Sequence, residues 1–274
     1  MSKTIFITGA SRGFGKIWAE AFLQRGDKVA ATSRNINGLK ELADKYGDAF
    51  LPIQLDITNR AESIAAIQKA KALFGTLDVL INNAGYGVFG AVEEISEQEA
   101  KDVVDANLFG TLWATQAVIP IFRAQGKGHV IQLSSTLGIN TLPTMGIYSA
   151  TKYAVEGLSE ALHLEVKDFG IHVTLVEPNG FNTDFIGVSA VESKPIAAYD
   201  KVKSDFRSGP GMGEDDFGIP EATVEAIFKL VDSDNPPLHF FLGKIALPWT
   251  QYNYANKLAE WEDWKDVAIK AHGK

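Results

Sequence analysis

The sequence predicts an α/β fold in which helices cover both faces of a parallel, doubly wound sheet. Short runs of apolar and β-branched residues alternate with longer segments of helical periodicity. A glycine-rich segment, 9–15, separates the first predicted strand from the first predicted helix. Because strands that alternate with helices are joined by right-handed crossovers, we expect these strands to run parallel.

Six strands and the helices between them are predicted along the first two thirds of the chain. The strands are 3–8, 28–33, 50–55, 77–81, 128–133 and 171–176. The helices run from the glycine-rich segment to Gly26 and over 39–46, 61–74, 97–124, 148–169 and 221–232. Ser96 and Glu99 have the spacing of a capping box, which predicts the start of the helix at 97.

The alternation of strands and helices ends after Thr183, within what is predicted to be a single domain, 1–274. Residues 1–183 are predicted to form the core of this domain, and 220–274 are predicted to form a strand and an aromatic tail. The insertion 184–219 carries scattered apolar side chains and a Ser-Gly-Pro-Gly-Met-Gly break, and is predicted to be a substrate lid.

The tail carries apolar residues at helical spacing, namely Tyr254, Leu258, Trp261 and Ala268. This spacing predicts a packed amphipathic helix. A substrate wall or a subunit contact is the alternative.

Composition excludes several classes of function. The chain has no cysteine, which excludes disulfides and thiolate catalysis, and its five histidines show no metal-binding spacing, so no metal site is expected. The net charge of −8 argues against nucleic acid and anionic membranes as partners. No apolar run reaches the roughly 20 residues of a membrane span, and the first ten residues lack the apolar core of a signal peptide. A cytoplasmic location is therefore expected.

The glycine-rich segment is a candidate phosphate-binding turn. Glycines allow close approach of the backbone to a ligand, and the following helix N-terminus offers free N–H groups and a positive dipole end. An ordinary tight turn is the plainer interpretation, but the position in the first βα unit favours a dinucleotide.

The residues that end the second strand indicate which dinucleotide is bound. An acidic side chain at this point suits the ribose hydroxyl of NAD, whereas arginine suits the 2′-phosphate of NADP. The chain has Ser33 and Arg34 here and no acid, and Arg12 lies within reach. NADP(H) is therefore the predicted cofactor, with NAD(H) as the alternative.

Tyr148 and Lys152 are four residues apart at the start of a predicted helix, so both side chains share one face. A nearby cation favours the phenolate and should lower the tyrosine pKa from about 10 toward neutrality, which would suit a general acid or base. Taken alone, a half-buried tyrosine and a solvated lysine would explain the pair equally well.

Several motifs together resemble those of the short-chain dehydrogenase/reductases. The resemblance covers residues 3–183 and rests on TGASRGFG at 8–15, Asp56, NNAG at 82–85, Asn107, Ser135, Tyr148 with Lys152, and EPNG at 177–180. It implies a Rossmann-type sheet of about seven strands, with the seventh at 238–242.

The resemblance also implies a role for each motif. Tyr148 would exchange the proton, Ser135 would place the substrate oxygen, Lys152 would hold the nicotinamide ribose and lower the tyrosine pKa, and Asn107 would anchor a relay water. Ser135 is preferred to Ser134 because it lies thirteen residues before Tyr148. The residues expected to contact the cofactor are Gly9, Ser11, Arg12, Gly13, Phe14, Gly15, Ser33, Arg34, Asp56, Ile57, Asn83, Ala84, Gly85, Tyr148, Lys152, Pro178, Gly180 and Thr183.

One motif departs from the family pattern, because Asn179 separates Pro178 from Gly180. Asparagine tolerates left-handed φ values better than other non-glycine residues, so the turn is expected to persist.

Asp56 has a plainer interpretation as the N-cap of the next helix.

The predicted function is hydride transfer between NADP(H) and a carbonyl or secondary alcohol, with a hydrophobic ketone or aldehyde as substrate and a homodimer or homotetramer as assembly. A non-catalytic dinucleotide-binding regulator is the alternative. An epimerase of the longer-subunit branch would show TGxxGxxG, which is absent. Ser149 with Lys152 and the SDN at 233–235 also match a penicillin-recognising signature, but no KTG or KSG follows.

Overall fold

The computed structural model describes residues 2–185, 189–208 and 216–273. Its strands are β1 (Thr4–Ile7), β2 (Lys28–Ser33), β3 (Phe50–Gln54), β4 (Val79–Asn82), β5 (Gly87–Phe89), β6 (Gly128–Leu133), β7 (Ile171–Pro178), β8 (Ala190–Glu192) and β9 (His239–Leu242). Its α-helices are α1 (Gly13–Arg25), α2 (Lys40–Tyr46), α3 (Arg60–Phe74), α4 (Glu97–Val104), α5 (Gly110–Gln125), α6 (Gly146–Val166), α7 (Asp200–Arg207), α8 (Val224–Asp232) and α9 (Ala246–Lys270).

Seven parallel strands form the main sheet in the order β3-β2-β1-β4-β6-β7-β9. The predicted doubly wound sheet is therefore confirmed, including its seventh strand. From β1 the chain builds outward to β2 and β3 on one side and then returns to place β4 on the other. This reversal creates a crevice at the carboxyl ends of β1 and β4, where parallel α/β sheets bind ligands.

Both faces of the sheet are buried, which explains why the strands read as continuous apolar runs. Along β1, Ile5 and Ile7 pack with α1, α2 and α8 on one face, whereas Phe6 packs with α3, α5 and α6 on the other. All three side chains are fully buried. The helices that carry the candidate site are thus held against the sheet by apolar packing.

The predicted helix at 97–124 is interrupted. The capping box at Ser96 is present, but α4 ends at Val104 and α5 begins at Gly110, with a π-helical turn over Asp105–Phe109 between them. Such turns widen a helix locally and frequently occur at functional sites. Here the turn contains Asn107.

The predicted insertion pairs with the body through a second small sheet. Within it, β8 lies parallel to β5, and α7 follows. Residues Ile186, Val188 and Met212, and most of the break at 208–213, lie outside the described residues.

The expected packing of the tail is wrong. Only the first turns of α9 are buried against the body, at Ala246 and Thr250. Farther along, Trp261 is 59% and Trp264 is 65% exposed. Helical spacing correctly predicted a helix but not a surface to receive it, because that surface is a tertiary property. Among the described helices, none is long and apolar enough to cross a bilayer.

Candidate active site

Ser135, Tyr148 and Lys152 meet at the carboxyl edge of the sheet. Ser135 follows β6, and its Oγ accepts the Leu137 N–H at 3.0 Å. Tyr148 and Lys152 lie one turn apart on α6 and are only 5% and 6% exposed. The Ser135 side chain interacts with the Tyr148 hydroxyl, and Lys152 Nζ lies 5.7 Å from the centroid of the Tyr148 ring. A phenol, an alcohol and an amine therefore share one buried space.

The neighbouring serine has a different partner. Ser134 Oγ donates a hydrogen bond to the carboxylate of Glu156, which lies one turn beyond Lys152 on α6. Of the two serines, Ser135 is the one whose side chain interacts with the tyrosine.

The Lys152 amine is strongly desolvated. Its Nζ donates to the carbonyl of Leu133 at 2.7 Å. Burial lowers the pKa of Lys152 to about 8, and the negative charge of Glu156 opposes this shift. The amine can therefore gain or lose its proton close to neutral pH, whereas an ordinary lysine remains charged there.

The expected direction of the Tyr148 pKa shift is wrong for this arrangement. Burial raises the pKa of Tyr148 above its ordinary value, and the hydrogen bond with Ser135 opposes the rise only in part. Removing water penalises the phenolate, and the nearest amine points to the Leu133 carbonyl. In this environment Tyr148 is a neutral phenol, able to donate a proton.

Asn107 is buried at the π-helical turn beside Lys152. Its Oδ1 accepts the Tyr86 N–H at 3.0 Å, and its Nδ2 donates to the Tyr86 carbonyl at 2.9 Å and to Thr151 Oγ1 at 3.1 Å. A Cβ added at Gly85 would lie 2.9 Å from Asn107 Oδ1 and 3.9 Å from Lys152 Nζ. Asn107 and Lys152 thus flank the same glycine.

The glycine-rich turn is packed tightly against the end of β4. Gly9 and Gly13 have positive φ values of 69° and 53°, which favour glycine. A Cβ at Gly15 would lie 2.5 Å from Asn83 Nδ2. That amide donates to the carbonyls of Thr8 and Gly9, both at 2.9 Å. The turn is therefore positioned by direct hydrogen bonds from the neighbouring strand.

Ala84 and Gly85 continue this contact. The Ala84 N–H donates to Thr8 Oγ1 at 3.0 Å, and a Cβ at Gly9 would lie 2.8 Å from Ala84 Cα. The NNAG motif therefore forms one wall of the crevice at the β1–β4 switch point.

The other residues of the turn surround the start of α1. Arg12 is the exposed N-cap of the helix and makes no side-chain capping bond. Ser11 packs against Gly38, and the ring of Phe14 lies edge-on to Phe181 at 5.2 Å. The uncapped N-terminus of α1 therefore opens toward the crevice, with free N–H groups and a positive dipole end.

Ser33, Arg34 and Asp56 lie at the ends of β2 and β3. Ser33 is buried and its Oγ accepts the Asn35 N–H at 3.3 Å, whereas Arg34 is exposed. Arg34 and Asp56 line one surface groove with Gln54. The structure therefore places an arginine, and no acid, at the end of β2.

Asp56 is not a helix cap. Its Oδ1 accepts the Thr58 N–H at 3.1 Å, while Asn59 caps α3. The plainer interpretation of Asp56 is therefore wrong. Ile57 packs against α5, where a Cβ at Gly110 would lie 2.8 Å from Ile57 Cγ1.

The turn after β7 is not built as expected. Among the described non-glycine residues, Thr144 has a positive φ, and Asn179 does not. Asn179 instead donates from Nδ2 to the Gly180 carbonyl at 2.8 Å. Its Oδ1 lies so close to Gly243 that a Cβ there would be 1.9 Å away. Asparagine therefore serves this turn through its side-chain amide, and Gly243, which has a φ of 102° in the turn after β9, leaves room for that amide.

A cavity of about 640 Å³ joins these parts. It extends from Phe14 and Asn83, beside the glycine-rich turn, past Tyr148 to Trp249 in the first turn of α9. Thr183 lines it and lies close to Gly13, where a Cβ would be 3.7 Å from Thr183 Cβ. The apolar lining is contributed by Phe14, Phe89, Leu133, Leu137, Leu142, Met145, Phe181, Phe185, Phe206, Phe217, Ile245 and Trp249.

Sequence reasoning missed several residues of this site. Phe181 and Ile245 line the cavity but carry no motif. Glu156 bonds Ser134 from a position four residues after Lys152, and this helical spacing was a readable signal. The Leu133 carbonyl that holds Lys152 had no signal in the sequence.

Comparisons with known proteins agree with this geometry. A family model described as short chain dehydrogenase matches residues 3–192. Oxidoreductase BOA17 of Botryotinia fuckeliana is 36% identical over 98% of this chain and 99% of its own length. A 3-ketodihydrosphingosine reductase of Bacteroides thetaiotaomicron is 37% identical over 88% of each chain. This chain therefore belongs to the short-chain dehydrogenase family and is an NAD(P)-dependent oxidoreductase.

Solved structures give the same result. A short-chain dehydrogenase from Streptomyces avermitilis superposes with a TM-score of 0.91, at 35% identity and with 98% of both chains covered. A 3-ketoacyl-(acyl-carrier-protein) reductase of Brucella melitensis, complexed with NADH, has a TM-score of 0.74 at 27% identity, over 88% of this chain and 96% of its own. A Burkholderia cenocepacia short chain dehydrogenase in complex with NADP has a TM-score of 0.75 at 25% identity, over 96% and 97%. The similar structures thus include both dinucleotides.

We expect the Lys152 amine to titrate near pH 8 in the folded protein, because burial disfavours its charged form. NMR of the lysine ¹³Cε and ¹⁵Nζ atoms would measure this, with Lys152→Met identifying the resonance. The unfolded chain keeps the ordinary value of 10.5, so it binds more protons than the folded chain between these two pH values. The contribution of this group to stability should therefore rise with pH over that window. Titration at the ordinary value would show that the amine is solvated.

Proposed function

We propose that this protein is an NADP(H)-dependent reductase of hydrophobic ketones or aldehydes. The observation that carries the proposal is the burial of Tyr148 beside Ser135 and Lys152 in a cavity that also reaches the glycine-rich turn. A proton donor and a candidate dinucleotide site thereby share one apolar chamber.

The residues at the β1–β4 crevice fit a dinucleotide. Gly13 presents backbone without a side chain, and the uncapped N-terminus of α1 suits a pyrophosphate. When bound, the nicotinamide would supply the hydride. The adenine would be faced by Asp56 and Ile57. The nicotinamide half would be flanked by residues 83–85 on one side and by Pro178 and Gly180 on the other. Thr183 would reach the carboxamide or the phosphates.

The preference for NADP(H) rests on charge. Arg34 and Arg12 are exposed cations near the end of β2, and Ser33 and Ser11 offer hydroxyls there. Arginine is the side chain that recognises a 2′-phosphate best. A carboxylate at the end of β2 would favour the free ribose hydroxyl of NAD, and this chain has none there.

The proton steps follow from the geometry around Tyr148. The neutral phenol would donate its proton to the substrate oxygen, which Ser135 would hold in place. Lys152 would bind the nicotinamide ribose, and its charge would stabilise the phenolate left after proton transfer. Asn107 acts as a positioning residue in this scheme. Its Oδ1 and Lys152 Nζ both lie beside Gly85. Asn107 would anchor a water there that returns the proton to Lys152.

The apolar lining of the cavity favours a hydrophobic substrate. Phe89, Leu142 and Met145 lie on one side, and Trp249 of α9 lies on another. Support also comes from the relative named 3-ketodihydrosphingosine reductase, since its name specifies reduction of a keto compound.

The insertion 184–219 is proposed to close over this substrate. The ring centroid of Phe185 lies 5.3 Å from that of Tyr148, and Phe206 and Phe217 line the cavity. The insertion is anchored by the buried carboxylate of Glu94, which accepts hydrogen bonds from Lys203 Nζ and from the Ile196 N–H at 2.6 Å. The Lys203 hydrogen bond is the main cause that lowers the pKa of Glu94 to about 2.

Assembly as a homodimer or homotetramer is proposed through α5 and α6. Both helix regions expose large apolar side chains, with Leu164 on α6 65% exposed and Phe109 beside α5 38% exposed.

Replacing Tyr148 with phenylalanine should lower kcat for ketone reduction by roughly 10²- to 10⁴-fold, because the general acid is lost. NADPH binding, measured by fluorescence, should change little. Tyr153→Phe on the same helix is the matched control and should retain activity. If Tyr148→Phe kept most of its turnover, the assignment of Tyr148 as the proton donor would be wrong. If the unmodified protein bound NADPH but turned over none of a broad panel of carbonyls and alcohols, a non-catalytic dinucleotide-binding regulator would be favoured.

Replacing Arg34 with aspartate should reverse the preference for NADPH over NADH, because a carboxylate repels the 2′-phosphate and accepts a ribose hydroxyl. The ratio of kcat/KM for the two cofactors is the measurement. Arg123→Asp, at the far end of α5, makes the same change in net charge and should leave the ratio unaltered. An unchanged ratio in Arg34→Asp would remove this residue from the phosphate site.

Replacing Lys203 with methionine should raise KM for a hydrophobic ketone by roughly tenfold with little change in kcat, because the lost hydrogen bond to a charged group is worth about 1.5–3 kcal/mol. Lys201→Met, on the same helix, removes only an exposed pair with Asp205 and serves as the control. Equal KM values in the two variants would argue against a lid anchored at Glu94.

A further inference from the structure

Two buried carboxylates lie close to Lys152 and have no role in the reaction proposed for the active site. Glu156 on α6 is 5% exposed and Glu177 on β7 is fully buried. Among the described atoms, the Oε2 atoms of both side chains have no hydrogen-bond partner. Buried polar atoms are seldom left unpaired, so each of these atoms calls for a ligand.

A histidine and a third carboxylate complete this cluster, which we term the β9 cluster: Glu156, Glu160, Glu177 and His239. His239 Nδ1 lies 2.7 Å from Glu177 Oε1 and 3.6 Å from Glu156 Oε2. On the other side of the ring, His239 Nε2 lies 3.7 Å from Glu160 Oε1. The unpartnered Glu156 oxygen thus points into the cluster.

The charge of the cluster is poorly compensated by protein groups. Burial is the main cause that raises the pKa of both Glu156 and Glu177 to about 8; the charge of Glu177 adds to the rise at Glu156, whereas the Glu156 side chain opposes the rise at Glu177. The opposing influences on Glu156 are the hydroxyl of Ser134 and the ring of His239. A bound cation would stabilise the ionised carboxylates in this environment.

We propose that Glu156, Glu160 and His239 bind a divalent transition-metal ion, for which Zn²⁺ is the representative. One ligand atom from each can be chosen so that all three lie within 4.8 Å of one another. A tetrahedral zinc with bonds of about 2.1 Å holds its ligand atoms about 3.4 Å apart, so small side-chain movements close the site. Imidazole and carboxylate together suit zinc better than magnesium.

Glu177 has a distinct part in this site. Its Oε1 lies 2.7 Å from His239 Nδ1 and fixes the orientation of the imidazole ring, whose Nε2 faces Glu160. Histidines that bind metals usually have such a partner on their second nitrogen. Glu160 and the His239 side chain are 56% and 37% exposed, which provides a path for entry and room for a water as the fourth ligand.

The expectation that the histidine spacing excludes a metal site is revised by this proposal. The ligands come from α6 and from β9, which are far apart along the chain, so no linear motif could reveal them. The ion would tie the helix that carries Lys152 to the last strand of the sheet.

Isothermal titration of ZnCl₂ into the chelator-treated, untagged full-length chain tests the proposal. We expect one site per chain with micromolar affinity and much weaker binding of Mg²⁺. Glu160→Gln and His239→Gln should each weaken zinc binding by roughly tenfold or more. Glu165→Gln, exposed on the same helix, and His272→Gln, exposed after α9, are matched controls that should bind zinc like the unmodified chain.

The visible absorption of bound Co²⁺ is a second measurement, and it does not depend on a variant that could fail to fold. Co²⁺ should give a visible absorption band in the unmodified chain and in Glu165→Gln, and the band should be lost in Glu160→Gln, whose exposed side chain tolerates the change. Absence of saturable binding, or affinities equal in all variants, would overturn the proposal and leave a proton as the only ligand of the buried pair.

Discussion

The contact between the glycine-rich turn and the end of β4 is the constraint on which the site depends. The Asn83 side chain donates two hydrogen bonds across the crevice to the carbonyls of Thr8 and Gly9, and its backbone N–H donates a third to Thr8 Oγ1. The backbones approach so closely that side chains at Gly9 or Gly15 would overlap their neighbours. This contact joins the two halves of the doubly wound sheet and sets the position of the α1 N-terminus relative to α6.

Desolvation is the second constraint on the site, because it shifts the pKa values of Tyr148, Lys152, Glu156 and Glu177. It raises the pKa of the phenol, lowers that of Lys152 to about 8, and raises those of Glu156 and Glu177. In water such groups would carry their ordinary charges, whereas here each is moved toward its neutral form. A neutral phenol beside a readily protonated amine is an arrangement that suits proton donation.

The fold could be predicted almost completely from the sequence, because the signals are local. Apolar runs, the glycine-rich turn and the capping box at Ser96 each report on a few adjacent residues, and the alternation of strands and helices predicts a parallel, doubly wound sheet. The π-helical turn at Asn107 was not predictable, since it depends on hydrogen bonds from Asn107 to Tyr86 and Thr151 across the fold. The exposed course of α9 was not predictable for a similar reason, because spacing along a helix does not specify what opposes it.

The sequence by itself determined the family, the parallel and doubly wound character of the sheet, and the identity of the chemistry-bearing side chains. Tertiary structure alone decided how they are used: Ser135 lies beside Tyr148 while Ser134 bonds Glu156, Asn179 acts through its amide rather than its φ, and His239 meets Glu160 although the two are far apart along the chain. The physical reason is that residue type and local spacing are written along the chain. Burial, the direction of a side chain and the charge that surrounds it arise only when distant segments pack.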